Sequence, residues 1–313
     1  MNWKENKNLI LLTFVAVTSL LALLANDPFL WFEKNYASSE PLLGKIQTDD
    51  IAQISVKGSA ADKKFVRAGG GWIISLTGNS QTYKADDKKI NELLVNLVAI
   101  KKYQLVASDE AVYSEYGLTD ADFAIELADS AGSVLKTIQV GKPGAGYSST
   151  LVRLKSEKDI YATKGNLRND WSHNLDHYRD RKLLQLSSTN IESVQINGQN
   201  PFRILKDKDK WVISVTGNSF EADSARVQAL FSDLVALEGT RFESENTGGK
   251  SAGTIEIMLK GNIVKKVEFT GPFKDDEYTA LSSDNTASLV IPKYKYEGLF
   301  KNPDELKKQP GAN

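Results

Sequence analysis

The sequence predicts an α+β protein: an N-terminal transmembrane helix followed by two tandem-duplicated, antiparallel-sheet-rich units, each with one packed amphipathic helix. Three observations carry this expectation. A nine-residue segment occurs twice, each copy precedes an apolar stripe of helical period, and an uncharged apolar run stands near the amino terminus.

The repeat is read first because it organises the rest. Trp72-Ile73-Ile74-Ser75-Leu76-Thr77-Gly78-Asn79-Ser80 returns as Trp211-Val212-Ile213-Ser214-Val215-Thr216-Gly217-Asn218-Ser219, with seven of nine positions identical and the other two aliphatic swaps. Upstream, Ile51, Ile54, Val56 and Gly58 match Ile191, Val194, Ile196 and Gly198 in spacing. Downstream, Ala85-Asp86 matches Ala222-Asp223, Leu97-Val98-Ala99 matches Leu234-Val235-Ala236, and Ile125-Glu126-Leu127 resembles Ile255-Glu256-Ile257. Gly141 with Pro143 answers to Gly271 with Pro272. A collinear series of this kind is a duplication, and it sets the expected boundaries. They are a cytoplasmic N-terminus at 1–8, a transmembrane anchor at 9–25, a linker at 26–48 and a first repeat at 49–164. A connector follows at 165–188, then a second repeat at 189–297 and a C-terminal tail at 298–313.

Within each copy the elements follow from local pattern. Ile54 and Val56 alternate as on a half-buried strand, Phe65-Val66 marks a second and Trp72 to Leu76 a third. Thr77-Gly78-Asn79-Ser80 carries turn residues, and a short strand from Thr82 to Lys84 leads to a helix. Asp86 is placed to cap that helix. Ile90, Leu93, Leu94, Leu97 and Val98 fall on one face, as do Val227, Leu230, Phe231, Leu234 and Val235 after Asp223. Further strands are expected at Ala124 to Leu127, Lys136 to Val140, Thr150 to Leu154 and Ile160-Tyr161. Their counterparts are Thr254 to Leu259, Lys265 to Phe269, Glu277 to Leu281 and Leu289 to Ile291. Short strands joined by Gly- and Asp-containing turns, with one helix each, indicate antiparallel sheet. Residues 165–184 read as a short helix plus connector.

The run from Leu9 to Ala25 contains no charge, and only Thr13, Thr18 and Ser19 are polar. Roughly 17 to 25 apolar residues span a bilayer. Trp3 and the Phe29-Leu30-Trp31-Phe32 cluster suit the two interfaces, and Lys4 and Lys7 before the run place the amino terminus on the cytoplasmic side. The expected location is therefore the bacterial inner membrane, single-pass, with the bulk of the chain periplasmic and membrane lipid contacted through the helix. A cleaved signal peptide is the competing reading of the same run, and it exports the same domain.

Composition narrows the chemistry. The 313 residues carry 39 basic and 40 acidic side chains, interspersed, for a net charge near −1. That balance offers no basic field for nucleic acid. Cysteine is absent, which excludes disulfides, a thiolate nucleophile, cysteine-ligated zinc and iron–sulfur clusters. His173 and His177, the two histidines, are four apart, the spacing of a metal pair on one helix face, with Asp170, Asp176 and Asp180 nearby. The stretch lacks the glutamate of H-E-x-x-H, so exposed histidines are the expectation. Thr247-Gly248-Gly249-Lys250-Ser251 imitates the end of a P-loop but is followed by a strand pattern where a phosphate cradle needs a helix. Gly141-Lys142-Pro143-Gly144-Ala145-Gly146 is expected to be a hairpin loop. Trp72 and Trp211 could stack on a ligand, but their aliphatic surroundings assign them to the core. Scattered carboxylates leave a glycosidase-like pair open, since sequence spacing does not give spatial spacing.

Tyr116-Gly117-Leu118 before the strand at Ala124, Val140-Gly141 closing the next, Ile160-Tyr161, and Arg179-Asp180-Arg181-Lys182-Leu183-Leu184 leading into Ile191 form a further pattern. It resembles the "domain of unknown function 4340" family over about Ile51 to Ile291, with the second copy lacking a clear Tyr-Gly-Leu counterpart. The resemblance implies a single-pass envelope protein, often encoded with ABC transporters of the gliding-motility type. The expectation is thus a non-enzymatic accessory subunit with an envelope protein partner such as an ABC transporter subunit. It has no nucleic-acid partner, no catalytic, cofactor-binding or metal-binding residues, and no cofactor. The alternative is a periplasmic binding module for an envelope glycan or lipid.

Overall fold

The computed structural model describes residues 7–26, 39–59, 61–144, 148–243 and 249–309. The first element is α1 (Lys7–Asn26), of whose side chains residues 12–22 are described, all exposed. Among the described residues no helix is long and apolar enough to cross a membrane. The expected transmembrane anchor is therefore not established by the fold.

The chain divides into two compact units, one built from Met1–Thr82 and Asp87–Leu175, the other from Tyr83–Asp86 and Asp176–Asn313. The first sheet contains β1 (Gln53–Lys57), β2 (Lys63–Ala68), β3 (Gly71–Leu76), β4 (Thr82–Lys84), β5 (Gln104–Ala107), β6 (Ala124–Ala128), β7 (Val134–Pro143), β8 (Ser149–Leu154) and β9 (Ile160–Lys164). The second contains β10 (Ile191–Asn197), β11 (Phe202–Asp207), β12 (Lys210–Val215), β13 (Asn218–Glu221), β14 (Arg241–Phe242), β15 (Ser251–Leu259), β16 (Ile263–Thr270), β17 (Tyr278–Ser282) and β18 (Leu289–Ile291). Their orders are β4-β3-β2-β1-β6-β7-β8-β9-β5 and β13-β12-β11-β10-β15-β16-β17-β18-β14, the same nine-strand permutation.

Register confirms the duplication pair by pair. Ile54 faces Phe65 and Leu127, and Val194 faces Ile204 and Ile257. Trp72 opposes Arg67 in β2, and Trp211 opposes Lys206 in β11. The Thr-Gly-Asn turn differs between copies: Thr216 and Gly217 both take positive φ, the form a two-residue hairpin favours, whereas in the first copy Gly78 does and Thr77 does not. As a result β13 begins at once, while β4 starts only at Thr82.

Each sheet carries its predicted helix. α2 (Asp87–Val98) buries Ile90, Leu94 and Leu97 and packs on β3. The counterpart helix, Ser224–Val235, packs on β12 and buries Val227, Leu230, Phe231 and Leu234. Each fully buried aliphatic side chain contributes roughly 1.5–3 kcal/mol. Asp223 caps the second of these helices, accepting from the Ala225 and Arg226 N–H groups at 2.9 and 3.2 Å. Leu93 on α2 is half-buried, whereas its counterpart Leu230 is buried.

Segments outside the expected repeats also recur. Leu42 N–H donates to Ile100 O at 2.8 Å, and Leu183 N–H to Leu237 O at 3.0 Å. Both leucines, with Leu43 and Leu184, are buried. Asp86 N–H donates to Tyr178 O and Asp223 N–H to Leu306 O, each at 2.8 Å. The one-turn helix Leu175–Tyr178 thus serves the first copy as the 3-10 turn Pro303–Leu306 serves the second.

Candidate functional site

Trp72 is 1% exposed and Trp211 8% exposed, as core packing requires. Their surroundings differ. The Trp72 indole N–H donates to Asn91 Oδ1 at 2.9 Å, and its backbone N–H donates to Asp87 Oδ1 at 2.6 Å. The Arg67 guanidinium lies 4.6 Å from the ring centroid and donates to Ile51 O and Thr48 O at 3.0 and 3.2 Å. Trp211 instead meets Phe231 edge-on at 5.0 Å and lines a groove of about 650 Å³ with Ser188, Thr189, Glu192, Lys206, Gln228 and Lys260.

A larger groove, about 880 Å³, lies at the β5 end of the first sheet. Tyr103, Tyr116, Lys142 and Lys164 stand around Leu151 and Ala162, and Lys164 Nζ sits 4.6 Å from the Tyr103 ring. Strand register sets Thr240 and Pro292 at the positions of Tyr103 and Lys164 in the second unit. This groove borders a small second core of Leu118, Leu151, Ile160 and Ala162, against which Tyr113 and Tyr116 pack.

That second core explains the Tyr-Gly-Leu landmark. The turn Tyr113–Tyr116 ends with Gly117 at φ +68, where Gly117 N–H reaches Ser114 O at 3.3 Å and Leu118 N–H reaches Tyr113 O at 2.8 Å. This is a Schellman closure, which places Leu118 beside Tyr113. A Cβ on Gly141 would stand 2.4 Å from Tyr116 O, so the second glycine exists for close approach. Beside it, buried Arg153 lies 4.0 Å from the Tyr113 ring centroid, donates to Glu157 O at 2.8 Å and to Gln139 Oε1, and leaves its Nε without a partner. The other landmark also has a mechanical role: Arg179 lies between the Tyr83 and Phe242 rings at 4.1 and 3.5 Å, and Asp180 pairs with Lys84 at 3.0 Å.

The histidine pair does not share a helix face. The helix Leu167–Ser172 stops at His173, whose ψ of 160° is extended, and His177 lies in the separate turn Leu175–Tyr178, edge-on to Tyr178 at 5.0 Å. Among the described residues no three His, Asp or Glu side chains gather into a metal site. Burial raises the Asp170 carboxyl above its ordinary range, partly opposed by His173. Of the P-loop imitation, Thr247 and Gly248 lie outside the described residues, and Ser251 opens β15, a strand where a phosphate cradle needs a helix. Of the glycine-rich hairpin, Gly141 to Pro143 finish β7, and Ala145 and Gly146 lie outside the described residues.

Two features escaped the sequence reading. Lys63 is 2% exposed, donates to Ser59 Oγ and Ala61 O at 3.0 Å each, and has its pKa lowered by burial, with Asp62 opposing. It opposes Val56 as Phe202 opposes Ile196, so a cation occupies an aromatic position. The exchange of Arg67 and Asn91 for Lys206 and Gln228 is the other, and aligning the two copies would have revealed both.

The fold defines a class: a tandem pair of nine-stranded antiparallel α+β units with identical strand order. The family model described as "Domain of unknown function (DUF4340)" matches residues 72–253, more than half of the chain, running from β3 of the first unit into β15 of the second. The chain belongs to this family. No curated protein and no solved structure matches it.

Proposed function

We propose that the chain is a non-enzymatic accessory subunit, held to the bacterial inner membrane by α1 with its two units in the periplasm. It would serve an envelope machine such as an ABC transporter of the gliding-motility type. The observation that supports the anchor is in the sequence: the Leu9–Ala25 run carries no charge and is flanked by Lys4 and Lys7 before it. From Leu9 to Ala25 the run meets the lower limit of roughly 17 apolar residues for a span. Leu12, Phe14, Val15, Val17, Leu20 and Leu21 are all exposed, as side chains meant for lipid are. The transporter partner rests on the family resemblance.

Alkaline phosphatase fused after Asn313 tests the topology. Activity, with the protein retained in membranes after a high-salt wash, is the expected result; an inactive fusion overturns it. Co-purification of transporter subunits in mild detergent is expected on the accessory reading. The second reading, a binding module for an envelope glycan or lipid, draws on the 880 Å³ groove of the first unit, where tyrosines and lysines surround an apolar floor.

A further inference from the structure

We propose that the second unit holds a binding site for a carboxylate- or phosphate-bearing ligand in the groove beside Trp211. The first copy shows what this place looks like when the protein fills it. There Arg67 lies across the indole and ties itself to the Thr48 and Ile51 carbonyls, and Asn91 takes the indole N–H. Register and helix position put Lys206 and Gln228 in their stead. Neither side chain has a hydrogen bond or ion pair with the described residues, and neither does that of Lys260 across the groove. The Trp211 indole N–H has no hydrogen-bond partner among the described residues, and Trp211 lines the groove.

The lining therefore presents two ammonium groups, an amide and the Ser188 and Thr189 hydroxyls beside the Trp211 ring, against one carboxylate, Glu192. Donors and positive charge exceed acceptors, and the complement is an oxyanion. Charge-assisted hydrogen bonds from lysine are about twice as strong as neutral ones. The space, about 650 Å³, suits a small ligand rather than one ion. The site is separate from the anchor reading, because the fusion assay reports topology and the measurement below reports only the groove.

The test follows the indole N–H resonances of the full-length, ¹⁵N-labelled protein in phosphatidylcholine nanodiscs, assigned with Trp211→Phe and Trp72→Phe. The probes are inorganic phosphate, trigalacturonate and neutral maltotriose; a second set of discs contains phosphatidylglycerol. A saturable shift of Trp211 with an anionic probe, Trp72 staying still, is the expected result. Response to phosphatidylglycerol discs alone would name a lipid headgroup as the source of the same chemistry. Lys206→Gln with Lys260→Gln, both exposed and expected to leave the fold intact by circular dichroism, should weaken binding about tenfold or more. The proposal is overturned by maltotriose shifting Trp211 as strongly, by no probe shifting it, or by the double variant binding unchanged.

Discussion

Around Trp72 the first copy closes over its own indole; around Trp211 the second leaves it beside an open groove. The contrast recurs on the sheets' other faces. Residues 108–123 link β5 to β6 and bring Tyr113, Tyr116 and Leu118 onto Leu151 and Ile160, whereas the link from β14 to β15 is only 243–250. Leu281, which stands at the register position of Arg153, is exposed where Arg153 is buried. Strand order and the alternation that turns side chains inward have stayed fixed since the duplication, even where Lys63 stands in place of Phe202, because a one-residue slip would turn every core side chain outward. What covers the sheets is under no such constraint, and there the copies have parted.

Five substitutions probe this contrast. Trp72→Ala and Trp211→Ala should each cost about 3–5 kcal/mol, as large-to-small changes in a core do. Trp72→Ala should exceed its counterpart by about 1–2 kcal/mol, because it also forfeits the Asn91 hydrogen bond and the Arg67 stack. Equal losses in urea unfolding would break the distinction. Gly141→Ala should cost about 1–3 kcal/mol and loosen the cover of the first sheet, seen as faster proteolysis near Tyr113.

Lys63→Met, moving the first copy toward the Phe202 arrangement, should stabilise by about 1 kcal/mol at neutral pH. Burial holds the folded pKa of Lys63 below the unfolded value of 10.5. Between the two the unfolded chain binds more protons, so wild-type stability should gain with rising pH and the variant should lose that gain. Thermal melts at stepped alkaline pH decide it. The smallest effect is expected at Asp122, whose carboxylate accepts from Thr119 N–H and Oγ1 at 2.8 and 2.6 Å and is held below its usual pKa chiefly by those bonds. Its contribution is complete above the ordinary carboxylate range and is lost as pH falls through the depressed folded value. Asp122→Asn should cost about 0.5–1 kcal/mol at pH 7 and flatten the acid limb of the melting curve.

The duplication and most strands could be read from alternation and from the Trp-centred repeat, since those patterns record burial directly. The edge strands β5 and β14 were missed: Gln104-Leu105-Val106-Ala107 and Arg241-Phe242 are too short to show a period and are defined by pairing with β9 and β18. The spacing of His173 and His177 could not show how they lie, because it assumes an unbroken helix and the chain turns extended at His173, leaving both half-buried rather than exposed as expected. The grooves were invisible because Tyr103, Tyr116 and Lys164, or Trp211, Gln228 and Lys260, converge only after the sheets form.

A tandem protein whose halves share one strand order faces a hazard of its own. Any half-formed sheet can recruit the equivalent strand from its sibling, the characteristic misassembly of repeated domains. The outermost strands here are Thr82–Lys84, Gln104–Ala107, Asn218–Glu221 and Arg241–Phe242, two to four residues each, and a bulge interrupts the pairing of Gln104–Ala107. Such stubs offer a newcomer few free backbone groups, whereas β7, β15 and β16, the longest strands, have neighbours on both sides. Blunt margins let two near-identical sheets fold on one chain while each keeps its own strands.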